Sequence, residues 1–139
     1  MQGLAFHPIG IGSSSQDARL QQLHQIMSNL GHQWIDILKI DIEGSEWELF
    51  NDLYAQPNST LSATQVLVEF HFQGNITVVL QTFDRLLADN YRVFAVEPNY
   101  YCQEGCCARD LLEFAFVKVS VRGEICTPHA HSSLLPPGC

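Results

Sequence analysis

The stretch Ile37-Leu38-Lys39-Ile40-Asp41-Ile42-Glu43-Gly44-Ser45-Glu46-Trp47-Glu48 decides how the chain is read. It opens as an apolar run of strand-forming residues and ends in two acids, a glycine and a helix start. Apolar side chains on both faces predict a strand covered on both sides, as at the centre of a parallel α/β sheet. Asp41 and Glu43 stand two residues apart, so if the strand runs through them they project from one face at its C-terminal end. In open parallel sheets that end is where ligands bind. Gly44 permits a sharp turn, and a helix from about Ser45 points its positive end back at the acids. The plainer account of the same residues is a strand, a turn and a helix whose acids only cap it. Glu46, further into that helix, is expected to point elsewhere and to tolerate replacement by Gln.

Working outward, residues 64–72 form a second buried strand, with Glu69 and His71 on one face near its C-terminal end. The helix between the two strands turns Trp47, Phe50 and Leu53 inward and breaks before Pro57. Upstream, Leu20, Leu23, Met27 and Leu30 form a stripe at spacings of three and four, which predicts a helix over 16–30 that Gly31 ends. Before it, residues 4–10 read as a short strand leading into the turn Gly10-Ile11-Gly12-Ser13-Ser14-Ser15. That turn is too short and wrongly spaced for a dinucleotide or P-loop fingerprint.

Downstream, Asn75 is a plausible N-cap for a helix with Ile76, Val79, Leu80, Phe83 and Leu87 on one face. Residues 91–97 form a strand stopped by Pro98, and residues 111–121 a last strand. A Cys-rich loop joins them. The tail over 122–139 is rich in Pro, Ser and His and reads as irregular. Strands alternating with helices predict an α/β layered fold, with the final strand pair as an antiparallel edge.

Composition narrows the function classes. With 139 residues, the chain is one domain with room for a core. Hydrophobic residues make up 46% and charged residues 16%, an ordinary globular balance. A net charge of −8 with only seven basic residues argues against nucleic acid, whose phosphates need clustered Lys and Arg. No apolar run is long enough to span a membrane. The first residues show no basic segment followed by an apolar one.

The core Lys39-Ile40-Asp41-Ile42-Glu43-Gly44-Ser45-Glu46, followed by Val68-Glu69-Phe70-His71, resembles the FkbM-type methyltransferase domain, and the likeness runs over about residues 6–121. The resemblance implies a Rossmann-like class I fold, a three-layer α/β/α arrangement, with S-adenosylmethionine as cofactor and O-methylation as the chemistry. It places residues 4–10 as the third strand, 37–41 as the fourth, 66–71 as the fifth, and the last two strands as the sixth and seventh. The first two strands of the family, with their glycine-rich turn and ribose-binding acid, have no counterpart. The implied form is therefore truncated, and its fourth strand is left with an apolar, unpaired edge.

By the same resemblance Asp41 would lie beside the sulfonium, with Gly12 and Ser13 as further cofactor contacts. Glu43, Glu69 and His71 would face a small-molecule or glycan-like acceptor. Two or three of these groups could hold a divalent cation, although the residues do not name a metal. A reading from another class keeps the fold without the chemistry: a secreted, non-catalytic binding module.

All five cysteines, Cys102, Cys106, Cys107, Cys126 and Cys139, fall late in the chain, without a C-x-x-C pair. The sequons Asn58-Ser59-Thr60 and Asn75-Ile76-Thr77 accompany them, and together they point to a disulfide-bonded, glycosylated protein of the secretory route. Neighbours such as Cys106 and Cys107 rarely bond to each other. Cys102 is expected to take one of them and Cys126 the other, with Cys139 left for an intermolecular bond.

Overall fold

The computed structural model describes residues 3–12, 19–56, 59–72, 76–98 and 111–127. Its elements are β1 (Gly10–Ile11), β2 (Leu20–Gln21), α1 (Leu23–Asn29), β3 (Ile35–Ile40), α2 (Glu46–Leu53), β4 (Ala63–His71), α3 (Ile76–Ala88), β5 (Tyr91–Pro98) and β6 (Leu111–Lys118). Two sheets result, a parallel pair of β1 and β2 and a four-stranded sheet in the order β3-β4-β6-β5. β3 and β4 are parallel, and β6 runs antiparallel to both β4 and β5.

This is the expected mixed α/β fold, with differences of placement. The last strand is interior, between β4 and β5, and β5 forms the edge that ends at Pro98. A proline donates no ladder bond, so an edge tolerates it. The strand expected over 4–10 shrinks to Gly10–Ile11, and Leu4 and Phe6 lie exposed. The expected helix over 16–30 begins only at Leu23. Leu20 is drawn into β2, opposite Gly10, where a Cβ would come within 2.6 Å of its side chain. Gly31, at φ +72°, ends α1 as expected, and His32 N–H returns to the Met27 carbonyl.

The core lies on one face of the sheet. Successive strand residues alternate faces, which puts Leu38, Ile40, Val66, Val68, Phe70, Phe114 and Phe116 together. α2 and α3 pack on this face. The Phe70 ring stacks on Trp47 at 4.5 Å and meets Phe50, Phe83 and Phe114 at 5.6–5.8 Å. α3 is rotated from the expected facing. Thr82 and Leu86 are buried and Phe83 packs on the core, while Ile76, Leu80 and Leu87 are exposed. The aromatic cluster fixes the rotation, because Phe83 must reach Phe114 at 5.0 Å.

The opposite face carries Ile37, Lys39, Leu67, Ala115 and Val117, and it is not sealed: Ile37 is 57% exposed. Among the described residues, the strand expected to be buried on both sides is thus an edge strand with one covered face. Where three layers were expected, the elements whose facing the contacts fix form two, the sheet and the pair α2 and α3 on one face of it. The start of the expected tail is ordered. Val119 bridges Ile125, and Cys126 N–H bonds the Lys118 carbonyl. Cys126 is fully buried and disulfide-bonded. The other four cysteines, Asn58, Asn75 and Ser13 lie outside the described residues.

Candidate functional site

β3 stops at Ile40, so Asp41 and Glu43 do not share a strand face. They meet by a different route. Glu43 takes a left-handed φ of 55° and Gly44 one of 102°, folding the chain back before α2 starts. Left-handed backbone is costly at a residue with a Cβ, and such strain gathers where a side chain must be aimed.

Glu46 holds this turn. Its side chain is fully buried, with Oε1 accepting the N–H groups of Ile42 at 3.0 Å and Gly44 at 3.2 Å, and Oε2 accepting Gly44 N–H at 3.1 Å. Position in the first turn of α2 favours an anion there, beside the positive end of the helix. The expectation that Glu46 points elsewhere is therefore overturned. The signal was present in the sequence: an acid opening a helix directly after a Glu-Gly turn can reach back to the turn's free N–H groups.

β4 brings His71 to the same place. His71 Nε2 lies 3.5 Å from Glu43 Oε2, and Nδ1 lies 3.3 Å from Glu46 Oε1. The inner contact is close but off the line of a hydrogen bond, which leaves Nδ1 a buried nitrogen without a hydrogen-bond partner. Trp47 pins the strand end, donating its indole N–H to the His71 carbonyl at 2.7 Å. One ligand atom each from Asp41, Glu43 and His71 falls within 4.8 Å of the others. Asp41 and Glu43 are exposed and His71 is half-buried, so the cluster opens to solvent at the C-terminal ends of two parallel strands. Two carboxylates and an imidazole suit a positively charged group.

The other candidates lie elsewhere. Glu69 is buried on β4 opposite Glu113 of β6 and does not join the cluster. Gly12 ends the β1 segment, where its N–H bonds the Gln21 carbonyl, and it lines a recess with Leu23, His24, Leu49 and Asp52. That recess includes none of Asp41, Glu43 and His71.

The convergent acids sit at the C-terminal ends of two parallel strands, the end where open α/β sheets bind their ligands. Comparison to known families gives the class: the family model of a methyltransferase domain matches residues 6–118, and the chain belongs to that family. No curated protein and no solved structure matches the chain.

Proposed function

We propose that this methyltransferase domain serves transfer of a methyl group from S-adenosylmethionine to an oxygen acceptor at the ends of β3 and β4. The observation that carries the reading is the convergence of Asp41, Glu43 and His71 there. S-adenosylmethionine supplies an activated methyl group on a positively charged sulfur. The exposed Asp41 carboxylate attracts that charge, and Glu43 and His71 face the acceptor. With the cofactor bound, Glu43 or His71 would take the acceptor's O–H proton, and the cofactor would supply the methyl group and keep the electron pair of its sulfur–carbon bond as S-adenosylhomocysteine. Glu69, across the sheet from Glu113 and apart from the cluster, is left out of the reacting set.

Within the family, the Lys39–Glu46 core supports an FkbM-type assignment. The acidic charge favours a small-molecule or glycan-like acceptor over nucleic acid. Late cysteines and two sequons favour the secretory route.

Titration of the 15N-labelled chain with S-adenosylmethionine, in EDTA, tests the reading. The amides of residues 41–44 should shift with an affinity on the order of millimolar, as exposed and water-screened charges give. Asp41→Asn should remove most of that shift. Amides unmoved at ten times that concentration would turn the assignment toward a non-catalytic binding module.

A further inference from the structure

We propose that Asp41, Glu43 and His71 form a divalent-cation site, with His71 Nε2 as the nitrogen ligand and Glu46 as the buried carboxylate that orients the ring. The three ligand atoms lie within 4.8 Å of one another, and the Nε2 to Glu43 Oε2 distance is 3.5 Å. Ligands at ~2.1 Å from a tetrahedral or octahedral ion stand about 3.0–3.5 Å apart when adjacent. The imidazole and Glu43 are already at that spacing. Asp41 is exposed, and its ligand oxygen is within 4.8 Å of the other two ligand atoms.

A second observation is independent of the acids. A metal-bound histidine regularly turns its other ring nitrogen to a carboxylate, which fixes the tautomer and the ring plane. Here Nδ1 is buried, lacks a hydrogen-bond partner, and lies 3.3 Å from Glu46 Oε1. Glu46 is itself anchored by the Ile42 and Gly44 N–H groups, so it cannot swing away. The Trp47 bond to the His71 carbonyl holds the backbone from the other side. A small rotation that lines Nδ1–H up with Glu46 leaves Nε2 bare, toward Glu43 and Asp41.

Charge balance points the same way. Among the described residues, no Lys or Arg pairs with Asp41, Glu43 or Glu46, although three carboxylates surround one imidazole. A bound dication supplies the missing positive charge. One imidazole beside two carboxylates suits Zn2+, and Mn2+ among the harder ions, better than Mg2+ or Ca2+, which prefer all-oxygen shells. The site shares its residues with the proposed methyl-transfer centre and rests on that reading only for its use: the bound ion would take over from Glu43 and His71 the task of favouring the ionised form of an acceptor hydroxyl.

The test reads metal binding directly, without cofactor or acceptor. Titration of the whole chain with Mn2+, followed by electron paramagnetic resonance, should show one bound ion. Relaxation broadening of amides should centre on residues 41–46 and 71. His71→Ala should abolish this binding, and Asp41→Asn and Glu43→Gln should each weaken it at least tenfold. Glu46→Gln should weaken it about 10- to 100-fold, as removal of an orienting carboxylate does. Asp36→Asn and Glu48→Gln, exposed acids outside the cluster, should leave it unchanged. Asp41 is exposed, so its variant keeps the fold and decides the matter if Glu46→Gln unfolds. Undiminished binding in Asp41→Asn and His71→Ala, equal loss in the two control variants, or no bound Mn2+ at millimolar concentration would each overturn the site. Because the S-adenosylmethionine titration is run in EDTA, failure of one reading is distinct from failure of the other.

Discussion

Lys118 Nζ donates to Asp89 Oδ1 at 2.7 Å inside the domain, with 1% and 5% of the two side chains exposed. Such a pair repays its desolvation only if the remaining donors and acceptors are met, and here they are. Asp89 Oδ2 accepts the Leu61 N–H at 2.7 Å and the Tyr54 hydroxyl at 3.0 Å. Lys118 Nζ also donates to the Leu61 carbonyl at 2.8 Å and lies 5.0 Å from the centre of the Tyr91 ring. One network thus ties β6, the end of α3, the end of α2 and the approach to β4. Asp89→Ala strands a buried ammonium and should cost about 3–5 kcal/mol in urea unfolding. Asp89→Leu with Lys118→Met should recover part of that loss. A cost below about 1 kcal/mol for Asp89→Ala would mean that water reaches the pair.

Alkaline pH should weaken the fold through Tyr54 and Tyr91. Burial pushes both hydroxyls up, and the Asp89 charge adds to it. Unfolded tyrosines ionise near pH ~10, whereas these two hold their protons beyond it. Above that pH the folded state therefore binds more protons than the unfolded one. The contribution is complete below pH ~10 and is lost as the pH rises further. Urea midpoints should be level from pH 8 to pH 9.5 and fall by pH 11, and Tyr54→Phe should flatten that fall.

Variants at the turn separate chemistry from support. Asp41→Asn and Glu43→Gln, both exposed, should lower methyl transfer at least ~100-fold with little change in the urea midpoint. Glu46→Gln sets an amide NH2 against backbone N–H groups and should cost about 1–3 kcal/mol of stability as well as activity. An unchanged midpoint in Glu46→Gln would mean the turn does not depend on it.

Local signals placed most elements. Gly31 and Gly44 lie at the turns their conformational freedom predicts, and the runs around Ile40 and Val68 became paired parallel strands. The convergence of Asp41, Glu43 and His71 was legible in part, with Glu69 counted among them and for a different geometric reason. The strand ends early, and the left-handed turn at Glu43 does the aiming. What periodicity could not give was which apolar stripe faces inward. In α3 the choice between Leu80 and Leu86 is made by rings on other strands. The buried roles of Asp89 and Lys118 were hidden likewise, because they depend on partners up to 57 residues away. Charged residues read as surface until the partner is known.

Trp47 joins the core to the site, and Trp47→Phe divides its two functions. The indole stacks on Phe70 at 4.5 Å with planes 17° apart, while its N–H holds the His71 carbonyl at 2.7 Å. Phenylalanine keeps most of the ring contact and loses the bond, so stability should fall by only about 1 kcal/mol. His71 is then held by β4 pairing alone, and its ring should sample positions that miss Glu43 and Glu46. The chemical shifts of the His71 ring protons should move toward those of an exposed histidine, and S-adenosylmethionine should perturb residues 41–44 less uniformly. Trp47→Ala, which also removes the stacking, should cost about 3–5 kcal/mol. If Trp47→Phe left the His71 ring signals unchanged, the strand alone would be placing the histidine.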